Sequence, residues 1–160
     1  MDVSLRERIE SLIKADEGLR LIAYKDSRGI WTIGYGYNLE AHGYTKETAW
    51  AVRWTKEKAE REFDVAFDRC LASLDKNFPR WRTLDPARQA VAVSAMYQLG
   101  VGKVLQFAPT IAHIAAHEYE DAAQHMLATL WAKQTPARVQ RLAAMMRTGE
   151  WPKEVNGVRI

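Results

Sequence analysis

Glu17, Asp26 and Thr32 lie within one sixteen-residue stretch, "EGLRLIAYKDSRGIWT". Two acids stand nine residues apart, with a threonine six residues further on. Two carboxyl groups and a hydroxyl suffice to hydrolyse a glycosidic bond. One acid protonates the leaving oxygen, and a second carboxylate attacks the sugar or activates water on its opposite face. The donor must hold its proton near neutral pH, a form favoured by burial and by the negative end of a helix. The other acid must stay ionised, so the two need different surroundings. A hydroxyl beside it can hold the water. Spacing alone does not select this chemistry, because the same residue types recur at such separations in many chains. The elements that carry them must also converge.

Residues 4–16 place Leu5, Ile9, Leu12 and Ile13 at helical spacing, and Gly18 is a stop signal, so Glu17 sits at a helix C-terminus. β-Branched and aromatic residues around "KDSRG" predict a small antiparallel sheet over about residues 22–40. Asp26 then enters its first turn and Thr32 lies on the following strand. No other β region is expected. Thr55 is an N-cap for a long amphipathic helix with Ala59, Phe63, Ala66, Phe67, Cys70, Leu71 and Leu74 on one face. Asp85-Pro86 opens "ARQAVAVSAMYQLG", a helix apolar nearly all round and therefore central to a core, with Gly100 as its stop. "APTIAHIAAHEYEDAAQHMLATLW" reads as one or two further helices. Thr135-Pro136 repeats the cap-then-proline device before a last helix ended by Gly149. The fold class is α+β and mostly helical. The chain is one domain, 1–160, with a small β-containing lobe at about 18–54 and a connecting helix at about 55–75. Residues 76–160, together with 1–16, form a helical lobe.

A chain of 160 residues with 48% hydrophobic and 27% charged residues is globular rather than disordered. A net charge of +3 suits a polyanionic partner, such as nucleic acid, an anionic membrane or an acidic wall polymer, without choosing among them. Cys70 is the only cysteine, which excludes an intrachain disulfide and fits a reducing compartment. No apolar run reaches the roughly 18 residues of a membrane span. The charged N-terminus reads as neither signal peptide nor anchor, so action outside the cytoplasm requires release by something else. There is no glycine-rich phosphate loop and no nucleic-acid motif. "HIAAH" sets His113 and His117 at i and i+4, but Ile114 stands where the zinc-protease motif needs glutamate, and no metal is expected. Trp31, Trp50, Trp54, Trp81, Trp131 and Trp151 are expected to fill cores rather than form a sugar platform. Arg138, Arg141 and Arg147, with Met145 and Met146, are expected to pack within the protein rather than meet an anionic membrane.

"YKDSRGIWTIGYG" closely resembles the catalytic signature of the phage T4-type lysozymes, in which an acid closes the first helix and "YKDxxGxxTIGxG" follows. The likeness continues at "AMYQLGVGKVLQF", "WAKQTPARVQRL" and "RTGEW", in the same order over most of the chain. The resemblance implies a two-lobed lysozyme-like fold. It makes Glu17 the general acid, Asp26 the second carboxylate acting through water, and Thr32 the residue that positions that water. Arg138 corresponds to an arginine beside the glutamate. Asn38, Tyr97, Thr110 and His125 correspond to positions lining a sugar cleft, with Gln98 beside Tyr97. There are departures: Tyr37 stands where the family has a histidine, His125 replaces an asparagine, and Asn38 replaces an apolar residue.

The implied function is that of an endolysin, cleaving β-1,4 bonds between N-acetylmuramic acid and N-acetylglucosamine in bacterial peptidoglycan. The same resemblance implies a monomer without cofactor or metal, with no nucleic-acid partner and no stable membrane insertion. It would wait in the host cytoplasm for holin-mediated release. A lytic transglycosylase would need only one acid, so Asp26 argues against it. A non-catalytic wall-binding or virion module would not need Glu17, Asp26 and Thr32 intact.

Overall fold

Helix α1 (Val3–Glu17) buries Ile9, Leu12 and Ile13, the stripe its spacing foretells, in a computed structural model that describes residues 1–160. It ends at Gly18, whose φ of 68° turns the chain away. The helix thus runs one residue further than the pattern suggested, and Glu17 is its last residue. The chain then forms β1 (Arg20–Lys25), β2 (Trp31–Gly34) and β3 (Tyr37–Asn38), an antiparallel sheet with β2 in the middle. Thr32 pairs with Tyr24 on one side and Asn38 on the other. Directly paired residues point to the same face of a sheet, so Tyr24, Thr32 and Asn38 form a row across it.

A 3₁₀ turn (Glu40–His42) and the short helix α2 (Lys46–Ala49) lead back to the sheet. There Ala23 N–H donates to the Val52 carbonyl and Trp54 N–H to that of Leu21. Helix α3 (Lys56–Asn77) follows, with Lys58 N–H donating to the Thr55 hydroxyl as an N-cap. Its buried stripe is Ala59, Phe63, Phe67, Cys70 and Leu74, while Ala66 and Leu71 are only half-buried. Phe63 and Phe67 are closed off from solvent, and each contributes about 1.5–3 kcal/mol of burial.

Asp85 accepts from Arg88 N–H and opens α4 (Pro86–Leu99), the central helix its apolar sequence requires. Around it stand α5 (Val101–Val104), α6 (Ala108–Ala115), α7 (Tyr119–Leu127), α8 (Leu130–Gln134) and α9 (Pro136–Thr148). The segment read as one or two helices gives α6, α7 and the start of α8. The break comes at His117, whose φ is 60°, while Glu118 N–H donates back to the His113 carbonyl. Thr135 does not cap α9 with its side chain. Its hydroxyl is engaged by the Trp131 carbonyl and the Gln98 amide instead.

The reading of a single β region is corrected at the C-terminus. β4 (Glu154–Val155) and β5 (Val158–Arg159) form a second hairpin. Its two turn residues, Asn156 and Gly157, both have positive φ, 49° and 80°, the geometry that an Asn-Gly pair favours in a two-residue hairpin. Asn156 Nδ2 donates to the Ala15 carbonyl and ties this hairpin to α1.

Trp54, Trp81 and Trp131 are buried, Trp31 and Trp151 partly so, and Trp50 is exposed. Met145 and Met146 are buried, and Arg138 and Arg141 pair with carboxylates within the protein, whereas Arg147 is exposed and pairs with Glu120 at the surface. No helix is long and apolar enough to cross a membrane.

Candidate active site

The sheet and the helical lobe enclose a largely polar cleft of about 710 Å³. Glu17 enters it from the end of α1, Asp26 from the turn after β1, and Thr32 from β2. The paired row Tyr24, Thr32 and Asn38 lines the sheet side. Three elements of different kinds thus bring two acids and a hydroxyl to one space.

Asp26 is fixed by the turn it closes. Its Oδ1 accepts from Arg28 N–H at 2.8 Å and Ile30 N–H at 2.9 Å. Its Oδ2 lies 3.5 Å from Arg28 Nη2, a long contact that leaves most of its acceptor capacity open. The buried Thr32 hydroxyl donates to the Ile30 carbonyl at 2.9 Å. With its proton engaged, it faces any further partner as an acceptor.

Glu17 is held from two sides. Arg138 Nη1 donates to its Oε1 at 2.7 Å. On the other side, a Cβ built on Gly36 would lie 2.6 Å from Oε2, so the backbone of the β2–β3 turn lies against the carboxylate. Arg138 is nine-tenths buried, and its Nε also lies 3.4 Å from Oδ2 of Asp16. Asp16 has a side chain only 3% exposed and is further paired with Arg141. Two carboxylates and two guanidinium groups therefore balance at the junction of α1 and α9.

The cleft positions implied by the resemblance divide. Tyr97 lines the cleft, but its hydroxyl donates to the Tyr35 carbonyl at 2.7 Å. Burial, then the nearby charge of Glu17, drives the pKa of its phenol well upward. Gln98 also lines the cleft, yet its Oε1 accepts from Trp131 Nε1 and its Nε2 donates to Thr135. Asn38 Oδ1 accepts from Ala41 N–H, leaving its amide N–H groups for other partners. Thr110 and His125 do not line the cleft. Thr110 sits on the buried face of α6, against an apolar cavity of the helical lobe. His125 is on α7 with its ring stacked on His113, centroids 5.0 Å apart.

Asp16, Tyr24, Arg28, Lys103, Arg141 and Asn156 line the cleft and were not singled out as site residues by the sequence. A helical i, i+3 signal links Arg141 to Arg138, and Asp16 is next to Glu17. Tyr24, Arg28 and Lys103 lie within the motifs quoted above, and Asn156 opens an Asn-Gly turn, but none of these signals points to the cleft. Of the two histidines of "HIAAH", His117 Nδ1 contacts the Tyr119 hydroxyl. His113 instead has Glu118 and Asp121 near it, the three ligand atoms within 4.8 Å of one another on a partly exposed turn.

Comparison with known proteins finds relatives of this sequence. The profile of the phage lysozyme family matches residues 14–148. Probable T4-type lysozyme 1 of Dictyostelium discoideum is 27% identical over 163 residues, an alignment covering 88% of this chain and 94% of that one. The pre-baseplate central spike protein of Enterobacteria phage T4 is 26% identical over 157 residues, which is 86% of this chain but 27% of the spike protein. A SAR-endolysin of Escherichia phage 933W is 31% identical over 100 residues, 62% of this chain and 54% of its own length.

Proposed function

This chain belongs to the phage lysozyme family, and we propose that it is a muramidase that adds water across the β-1,4 bond between N-acetylmuramic acid and N-acetylglucosamine of peptidoglycan. The observation that carries the reading is the shared cleft: Glu17, at a helix end, faces the same space as Asp26 and Thr32. Glu17 is the proton donor to the glycosidic oxygen. Its anchorage on Arg138 and Gly36 fixes where the carboxyl group stands. A water on the opposite face of the sugar donates one hydrogen bond to Asp26 Oδ2 and the other to Thr32 Oγ1. Because the threonine proton is already given to Ile30, the water cannot accept from it, and its lone pair stays directed at the sugar carbon. Asp26 takes the proton as the bond to water forms. This route inverts the anomeric carbon, which requires carboxyl groups roughly 6.5–9.5 Å apart rather than roughly 5–5.5 Å.

The same reading includes a stage in the host cytoplasm and holin-dependent release. Expression alone should leave cells intact, and permeabilising the inner membrane should lyse them.

The deciding experiment is turbidity loss of purified Gram-negative walls stripped of outer membrane, comparing wild type with Glu17→Gln. Wild type should clear the suspension, and the variant should lose about 10²–10⁴-fold in rate while remaining folded at the assay temperature. Equal lysis by both removes Glu17 from the mechanism. No lysis by either removes the hydrolase reading. Product mass separates hydrolysis from anhydro-ring closure by one water.

A further inference from the structure

The helical lobe contains a second cavity, of about 580 Å³, distinct from the cleft of Glu17, Asp26 and Thr32 and sharing no lining residue with it. Its volume falls in the roughly 300–1,000 Å³ range of small-molecule sites. It is bounded by the end of α3, the 3₁₀ segment Pro79–Thr83, α4 and α6, with Phe107, Ile111, Trp81 and Trp131 among its walls. Exposed residues at its edge, Arg80, Ala115 and His117, mark where it opens to solvent.

Three features define what would fill it. First, the walls are mostly aliphatic and aromatic, so the body of the ligand is apolar. Second, no carboxylate lines the cavity, and its one permanent charge is Arg80, which makes no ion pair in the protein. The neighbouring Arg82, by contrast, is held by Asp75 at 2.7 Å. Third, Thr110 is nine-tenths buried and lines the cavity, and no protein group hydrogen-bonds its hydroxyl. The hydroxyl is left to whatever occupies the cavity, so this wall offers an unused polar contact.

We propose that this cavity is a binding site for a soluble single-chain carboxylate of the fatty-acid class, its tail among Phe107, Ile111 and Trp131 and its head drawn by Arg80. Each methylene taken from water adds about 0.8 kcal/mol, which favours medium chains over short ones. The proposal is independent of the muramidase reading, because binding is measured without wall substrate.

Decanoate titrated calorimetrically into the intact protein should saturate one site. At about a hundredfold excess over Kd it should raise Tm by roughly 5–10 °C. Decanol, with the same tail and no charge, should bind about tenfold more weakly. Arg80→Gln, at an exposed position, should bring decanoate down to the level of decanol. Ala92→Phe, which places a ring in the cavity, should abolish binding of both. If Ala92→Phe does not fold, Arg80→Gln carries the test alone. Three results would overturn the proposal: no saturable binding of decanoate, binding indifferent to these substitutions, or association only with phosphatidylglycerol vesicles. The last would place the interaction on a membrane surface instead.

Discussion

The backbone of Gly36 lies so close under the carboxylate of Glu17 that a methyl group there would sit 2.6 Å from Oε2 and 3.1 Å from Cδ. The glycine also holds φ at 74°, a conformation that other residues adopt only under strain. A turn between two strands of the sheet thus fixes the position of an acid presented by a helix.

Gly36→Ala should therefore act on chemistry before it acts on the fold. The added methyl must displace the Glu17 carboxyl group or the turn. We expect kcat on walls to fall by about 10²-fold and stability by about 1–3 kcal/mol, read by turbidity and urea unfolding. A variant with unchanged kcat would mean that Glu17 needs no support from this side.

Arg138→Met should be the most destabilising change in the site. It removes the guanidinium shared by Asp16 and Glu17 and leaves buried carboxylates short of a counter-charge. Breaking a buried pair in this way costs about 3–5 kcal/mol. Arg138→Lys keeps the charge but not the fork that spans two acids, and should recover only part of the loss. A double-mutant cycle with Asp16→Asn should show strong coupling; additive losses would argue that the two do not act together.

Tyr97→Phe should separate packing from binding. The hydroxyl is committed to the Tyr35 carbonyl, so only the ring remains to meet a sugar. The variant should lose about 1–3 kcal/mol of stability while KM for wall substrate stays within about twofold. A large rise in KM would assign the hydroxyl to substrate instead.

Alkaline pH should destabilise the fold in a defined window. Burial pushes the Cys70 thiol up from 9.0 to about 12. Burial, with the hydrogen bond to Glu60, pushes Tyr35 up from 10.0 to about 12. In the unfolded chain these groups lose their protons near pH 9–10, while the folded protein keeps them to about pH 12. Their contribution is therefore fully present below pH 9 and is lost as pH rises through this window. Tm should be level up to about pH 9 and fall above it, and Cys70→Ala should make the fall shallower.

How far the sequence reached is best judged at particular residues. The elements that carry Glu17, Asp26 and Thr32 were legible from local signals, a helix stop, a polar turn and a strand period, whereas their grouping as a catalytic set came from the resemblance. The Asp16–Arg141 pair was not, because its members are 125 residues apart and meet only after α1 and α9 both pack on α4. The α6–α7 break was hidden because His117 adopts positive φ without a glycine or proline to announce it. The C-terminal hairpin had the reverse problem. "NG" announced its turn, but two-residue strands are too short to show alternation. Thr110 shows the limit of transferring a position: on α6 its side chain turns into the lobe rather than toward the cleft.

Glu17 ends a helix that packs on α4 and the C-terminal hairpin, whereas Asp26 and Thr32 belong to the sheet. Directly after the acid, the chain passes between these two bodies at Gly18. The pairing of residues 52–54 with β1 makes the start of α3 part of the sheet's body. The spacing between proton donor and water is therefore set where the two bodies meet, at the contact of the Gly36 turn with the Glu17 carboxylate. That contact acts as a gauge block between acid and water, although it belongs to neither reagent. A cross-link that wedges the sheet away from the end of α1 should silence every catalytic group without altering any of them.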